Sequence, residues 1–218
     1  MTETRRELVL PLVVNIERDE PPARTDALEA AARAVLFMLV TDEPEWAPAV
    51  AEWDGYRIRK VVRRARGAEW RRAAALPGIT VAHRSAEVRV YPPIGLDEWP
   101  RDLAKLQVEG TDLEDLEAPP SAPADLPLVL LNPRIEMTAG KAMAQAGHAA
   151  QLGYRATGPA QRLRWRETGF ELAVRSAEPA QWDAALAAGA PVVQDAGFTE
   201  VAPGSCTAAA VLPHVWDV

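Results

Sequence analysis

The sequence predicts an α/β fold built from two similar units, each a small mixed β-sheet flanked by helices on both faces. Three observations carry this prediction. Short apolar runs of strand character alternate with Ala- and Leu-rich helical stretches. An acidic, proline-rich stretch from Leu96 to Ala124 interrupts the alternation. Beyond it the pattern begins again. The boundaries that follow are a first unit over residues 1–95, a semi-extended linker over 96–125 and a second unit over 126–218.

The elements follow in order. Leu8 to Ile16 is a continuous apolar run, as a buried strand requires, although Pro11 counts against a central position along its whole length. Thr25 is the expected N-cap of a helix over Asp26 to Val40. The prolines between Thr41 and Pro48 break it. Tyr56 to Val62 reads as a second strand, with Tyr56, Ile58 and Lys60 on one side. Ala68 to Leu76 is a short helix, and Ile79 to Ala82 and Glu87 to Tyr91 are two further strands. A helix is expected around Trp99 to Val108. In the second unit Leu128 to Leu131, Phe170 to Arg175, Pro191 to Gln194 and Ser205 to Leu212 are the strands. Helices are expected over Ala139 to Ala156 and Pro179 to Ala188, the latter with proline in its first turn. Ala160 to Arg166 has helical character.

The halves resemble one another. Leu8-Val-Leu is echoed by Leu128-Val-Leu, and Gly55-Tyr-Arg-Ile by Gly169-Phe-Glu-Leu. A tryptophan follows each, Trp70 and Trp182, with a slip of two residues. The halves are not equivalent, however. Only the second carries polar residues on an otherwise small-residue helix, where Lys141, Gln145 and His148 share one face. A neighbouring stripe of Ala142, Ala146, Ala149 and Gly153 would let that helix approach a sheet closely.

Composition excludes several classes. The 218 residues permit one domain or two small ones, with 48% hydrophobic and 25% charged content typical of globular proteins. No apolar run is long enough to span a bilayer and the N-terminal residues lack a signal-peptide pattern, so no membrane partner is expected. Cys206 is the only cysteine, so neither an internal disulfide nor a cysteine-rich metal site is available, and a reducing cytoplasm is the simplest home. The net charge of −7 and pI of about 5.1 argue against a nucleic-acid coat protein but allow local basic patches. Arginines cluster between Arg57 and Arg72, and again at Arg155, Arg162, Arg164 and Arg166.

His148 is the residue type best suited to proton transfer near neutral pH. Lys141, near a helix start, reads either as a solvated lysine or as an anion contact reinforced by free N–H groups. A phosphate loop of the Gly-x-x-x-x-Gly-Lys type is excluded, because Ile135 stands at the first glycine and Ala142 follows the lysine. Asp195 and Gly197 lie just past a strand end. That arrangement is ordinary turn chemistry, but it is also where α/β proteins place sites. Cys206, within a strand, is expected to pack as a small apolar residue.

Two motifs together identify a family resemblance over about Leu126 to Pro213. They are Gly140-Lys141-Ala-Met-Ala144-Gln145-Ala-Gly-His148-Ala149 and Asp195-Ala196-Gly197-Phe198-Thr199, the second followed by Pro203-Gly204-Ser205-Cys206-Thr207. The second half resembles the class II peptidyl-tRNA hydrolases, and the first half looks like a degenerate hydrolase-like unit. The resemblance implies hydrolysis of the ester joining a stalled peptide to tRNA, in translation, without metal or organic cofactor. It implies a reactive cluster of Lys141, His148, Asp195 and Thr199. Gly140, Gln145, Gly204 and Thr207 would support it, and Arg162 and Arg164 are candidates for tRNA contact. Asp195 and His148 would position and deprotonate water, with the base left open. Lys141 would stabilise the oxyanion or hold the terminal phosphate. The chain would be a monomer carrying its pair internally, or a homodimer. One departure is Ala139, where the family usually has a further lysine. The alternatives are a non-catalytic RNA- or anion-binding protein of the same fold, and a hydrolase of another ester.

Overall fold

A central pair of helices, one from each half of the chain, lies between two four-stranded sheet cores. The computed structural model describes residues 6–195, 201–213 and 216. The first half runs β1 (Leu8–Asn15), α1 (Arg24–Leu39), α2 (Ala47–Asp54), β2 (Arg59–Ala65), α3 (Gly67–Ala74), β3 (Ile79–His83) and β4 (Ala86–Val90). A two-residue β5 (Ile94–Gly95) and a one-turn α4 (Arg101–Ala104) follow. The second half runs β6 (Leu128–Leu131), α5 (Ala139–Ala156), α6 (Pro159–Glu167), β7 (Ala173–Ser176), α7 (Pro179–Ala187), β8 (Val192–Gln194) and β9 (Cys206–Val211).

The two sheets have the same topology. The first is ordered β2-β1-β4-β3 and the second β7-β6-β9-β8. In each, the first two strands are parallel and the other pairings antiparallel. Register also corresponds, since Leu10 lies beside Lys60 and Leu130 beside Arg175. Even the indole contacts repeat. Trp53 Nε1 donates to the Arg59 carbonyl at 2.9 Å and Trp165 Nε1 to the Glu171 carbonyl at 2.8 Å, each reaching six residues ahead.

Pro11 sits in the central strand β1, and the pairing explains how. On one edge β1 pairs with β5 at Leu8 and Val9, then with β4 from Leu12 to Val14. The Pro11 carbonyl accepts from Tyr91 N–H on that same edge, so its missing donor points into the gap between two partners. Three sequence expectations need correction. Thr25 does not cap α1. The N-cap is Ala23, and Thr25 instead directs its N–H and hydroxyl to Asp115 at 2.8 and 2.7 Å. The stretch before the second strand contains α2, with Pro48 in its first turn rather than as a breaker. The helix expected over Trp99 to Val108 is the single turn α4.

The main core draws on both halves. Leu10, Leu12 and Val35 join Val129, Ala146 and Phe170 in one buried cluster. Outer layers close the sheets on their other faces, with Tyr91 and Leu103 in the first half and Trp182 and Ala209 in the second. The small-residue stripe of α5 does approach a sheet closely, since a Cβ on Gly153 would lie 2.9 Å from Ala210 Cβ on β9. Another glycine admits the neighbouring helix. A Cβ on Gly147 would lie 2.8 Å from Val35 Cγ2 of α1. Residues 111–115, within the stretch read as linker, are pinned to the body: Thr111 and Leu113 are buried, and Arg24 N–H donates to the Glu114 carbonyl. No helix among the described residues is long and apolar enough to cross a membrane.

Candidate active site

Helix α5 begins at Thr138, whose hydroxyl accepts from Lys141 N–H at 3.3 Å. Gly140, in its first turn, leaves room for Thr111, whose Oγ1 would be 3.3 Å from a Cβ there. The helix then carries Lys141, Gln145 and His148 along one side of a cavity of about 680 Å³. Asp195, just past β8, also lines that cavity. The opposite wall comes from the first half, where β2 and the segment before it contribute Arg57, Ile58, Lys60 and Val62.

The polar cluster is tightly connected. Lys141 Nζ donates to Asp195 Oδ2 at 2.5 Å, with both side chains about nine-tenths buried. Gln145 Nε2 donates to the same oxygen at 2.8 Å. Its Oε1 accepts from Thr207 Oγ1 at 2.6 Å. A carboxylate only accepts and a hydroxyl can donate, so the Gln145 amide has one possible orientation. The loop around Asp195 is held by backbone. Asp195 N–H donates to the Ser205 carbonyl, and Gly204 N–H to the Asp195 carbonyl at 2.7 Å. Gly204 has φ +82, a conformation that suits glycine. Thr199 lies outside the described residues. Cys206, in β9, packs against the outer apolar cluster of the second half and is a free thiol.

Two residues join this site that the sequence did not single out. Lys60 of β2 places Nζ 3.1 Å from His148 Nδ1 and donates to Gln151 Oε1 at 2.6 Å. Gln151 in turn donates to Asp54 Oδ1 at 2.5 Å. Burial pushes Lys60 well below the usual lysine range, as does Arg155 nearby, while Asp54 acts the other way. His148 is likewise held well below the ordinary imidazole value, first by desolvation and then by Lys60, Lys141 and Arg155. It is therefore neutral at physiological pH. The signal for Lys60 was its strand parity: it shares the Ile58 and Val62 side of β2, which faces inward.

The remaining candidates fall elsewhere. Arg162 caps the far end of α5, donating to the Tyr154 and Arg155 carbonyls at 3.0 and 2.9 Å and stacking on the Tyr154 ring. That end is roughly 20 Å along the helix from Lys141. Arg164 is exposed on α6. Neither lines the cavity. Ala139, at the place of the additional lysine, is buried.

The corresponding place in the first half has inverted charge. Asp26 is the third residue past its helix N-cap, as Lys141 is past Thr138. Arg84 follows β3 as Asp195 follows β8, and it pairs with Asp26 at 3.4 Å. Glu29 accepts from His83 and from Arg175 Nη1 at 2.8 and 2.6 Å. Burial alone would raise the Glu29 carboxyl, but bonds from His83, Arg175 and Val174 N–H hold it below its ordinary value. Asp26, Glu29 and His83 lie close enough to share a cation, yet these arginines already supply the positive charge.

Residues 127–217 match the model of the family Peptidyl-tRNA hydrolase PTH2. Over those residues the second half of this chain is similar to that family. No curated protein matches the chain. The PTH2 match therefore spans α5, Asp195 and Thr207, and stops short of β2, which supplies the other wall of the cavity.

Proposed function

We propose that this chain hydrolyses the ester between a peptide and the 3′ ribose of tRNA, releasing the tRNA for reuse. The single observation that carries the reading is the Lys141–Asp195–Gln145–Thr207 network lining a cavity within a half similar to the PTH2 family. The family match supports the activity at the level of the family, and the site chemistry supports it for this chain. A water oxygen attacks the ester carbonyl, and its proton passes to Asp195. The Lys141 ammonium faces the oxyanion that forms. The carbonyl–ribose oxygen bond then breaks, and the proton returns to the 3′ oxygen. Thr199 belongs to the same reactive cluster on the strength of the motif. No metal or organic cofactor takes part.

The first half is a degenerate copy that serves as the second wall. Its matching strand order and its inverted charges at Asp26 and Arg84 support an internal duplication with one silent counterpart. On this reading residues 1–95 and 126–218 are the two units, residues 96–125 the connection between them, and the chain a monomeric pseudo-dimer. The cytoplasm is its place of work. Arg57 and Arg59 at the cavity, both tied to Glu7, are better placed to meet tRNA phosphate than Arg162 or Arg164.

The net charge of −7 favours a second reading, a fold retained for binding RNA without cleaving it. The test is incubation of the purified chain with peptidyl-tRNA and, separately, with aminoacyl-tRNA. Release of tRNA from the peptidyl substrate supports the hydrolase. Binding without release supports the second reading.

A further inference from the structure

The geometry assigns Lys60, a first-half residue, as the group that positions His148: its ammonium donates to Nδ1, so the neutral imidazole carries its proton on Nε2. The assignment extends the hydrolase reading, because it makes the site a product of both halves.

Burial and Arg155 oppose a charge on Lys60, but Asp54 and the contacts of Nζ favour the ammonium. Gln151 Oε1 and the Ile58 carbonyl, at 2.6 and 3.4 Å, can only accept. These two acceptors take two N–H groups of an ammonium, and its third N–H then meets His148 Nδ1 at 3.1 Å, which accepts in the Nε2–H tautomer. The Trp53 ring lies 4.7 Å from Nζ, and Asp54 stands behind Gln151. Both favour a cation. Two cations at 3.1 Å would repel strongly, so the charge on Lys60 keeps the ring neutral. With Nδ1 occupied, Nε2–H is left as the donor of the ring. His148 then donates a hydrogen bond to the substrate or the leaving oxygen, and Asp195 accepts the water proton.

The pseudo-symmetric position sharpens the point. Arg175 occupies in β7 the register that Lys60 occupies in β2, and it too reaches the central helix of the other half. There it meets the Glu29 carboxylate and its charge is neutralised. Lys60 meets an imidazole instead, so its charge acts on the ring. The groups facing His148 are Lys60 on β2, Lys141 and Arg155 on α5, Asp54 on α2 behind Gln151, and Asp195 after β8. Lys60 is the cation in contact with the ring.

The test is the imidazole ¹⁵N spectrum of the full chain with labelled histidine, assigned through His148→Gln, over pH 5 to 8. The assignment expects a neutral Nε2–H ring for His148 throughout. In Lys60→Met the His148 titration rises by about one unit or more toward the free value, and Lys60→Arg keeps it depressed. Arg175→Met, the control at the equivalent place, leaves His148 unmoved. An Nδ1–H ring in the wild type, or a His148 titration unchanged in a folded Lys60→Met, overturns the assignment. Should Lys60→Met not fold, the tautomer and titration of the wild type decide alone. Because these readouts need no substrate, a chain that shows the expected spectrum but releases no tRNA refutes the hydrolase reading and leaves this one standing.

Discussion

Replacing Gln145 with Leu should loosen the site by a calculable amount. Gln145 is 3% exposed and makes two hydrogen bonds, one to the Asp195 carboxylate at 2.8 Å and one from Thr207 at 2.6 Å. Leucine is of similar volume, so the cost is polar rather than a cavity. A bond to a charged group contributes about 1.5–3 kcal/mol and a neutral one about 1 kcal/mol. Asp195 keeps Lys141, and the Thr207 hydroxyl can turn toward the Val193 carbonyl at 3.4 Å, which recovers part of the loss. The net expectation is destabilisation of about 2–3 kcal/mol. With a urea slope of about 2–3 kcal/mol/M, the midpoint falls by about 1 M. The assay is urea unfolding followed by tryptophan fluorescence. The core shared between the halves predicts that the wild type unfolds in a single transition. An unchanged midpoint would mean that the amide does not tie Asp195 to Thr207, and the network described above would be wrong.

Other outcomes follow from the same contacts. Gly147→Ala puts a Cβ 2.8 Å from Val35 Cγ2, and overpacking of about 1–3 kcal/mol outweighs a helix gain of at most about 1 kcal/mol. Its thermal midpoint should fall by a few degrees, and a rise would contradict the close helix approach. Glu29→Gln leaves Arg175 without its carboxylate and should cost about 3–5 kcal/mol at pH 7. The Glu29 pKa is lower folded than unfolded, so its contribution is present above pH ~4.3 and vanishes as pH falls through the folded value. The variant and wild type should therefore converge in urea stability toward pH 3, and a constant difference would refute the assignment. His148 runs in the same direction by another route. Its folded pKa is depressed, so below pH ~6.5 the unfolded chain binds a proton that the folded chain refuses. Stability then falls by about 1.4 kcal/mol per pH unit, and His148→Gln should remove that slope.

Much of this was legible in the sequence because the signals were local. The apolar run of β6, the span of α5 and the shared face of Lys141, Gln145 and His148 all depend on spacing within one element. What escaped depends on the partner. Thr25 carries the side chain of an N-cap, but Asp115 from a distant segment claims its hydroxyl and N–H. Helix α2 was hidden because Pro48 reads as a breaker unless the first turn is known to start at Ala47. Lys60 stood within an arginine-rich run and looked like part of a surface patch. Only the pairing of β2 with β1 and its packing on α5 turn that side chain inward. The place of Arg162 escaped for a similar reason: its guanidinium bonds the carbonyls at the end of α5, away from the cavity.

The central claim is that Lys141 and Asp195 cleave an ester in a cavity walled by both halves. Single-turnover release of tRNA from peptidyl-tRNA by the full chain, beside Lys141→Ala, tests it most directly. The account predicts release by the wild type and a rate about 10²–10³-fold lower in the variant, the usual loss for an oxyanion donor. Equal rates in the two proteins, or no release by the wild type, would contradict it.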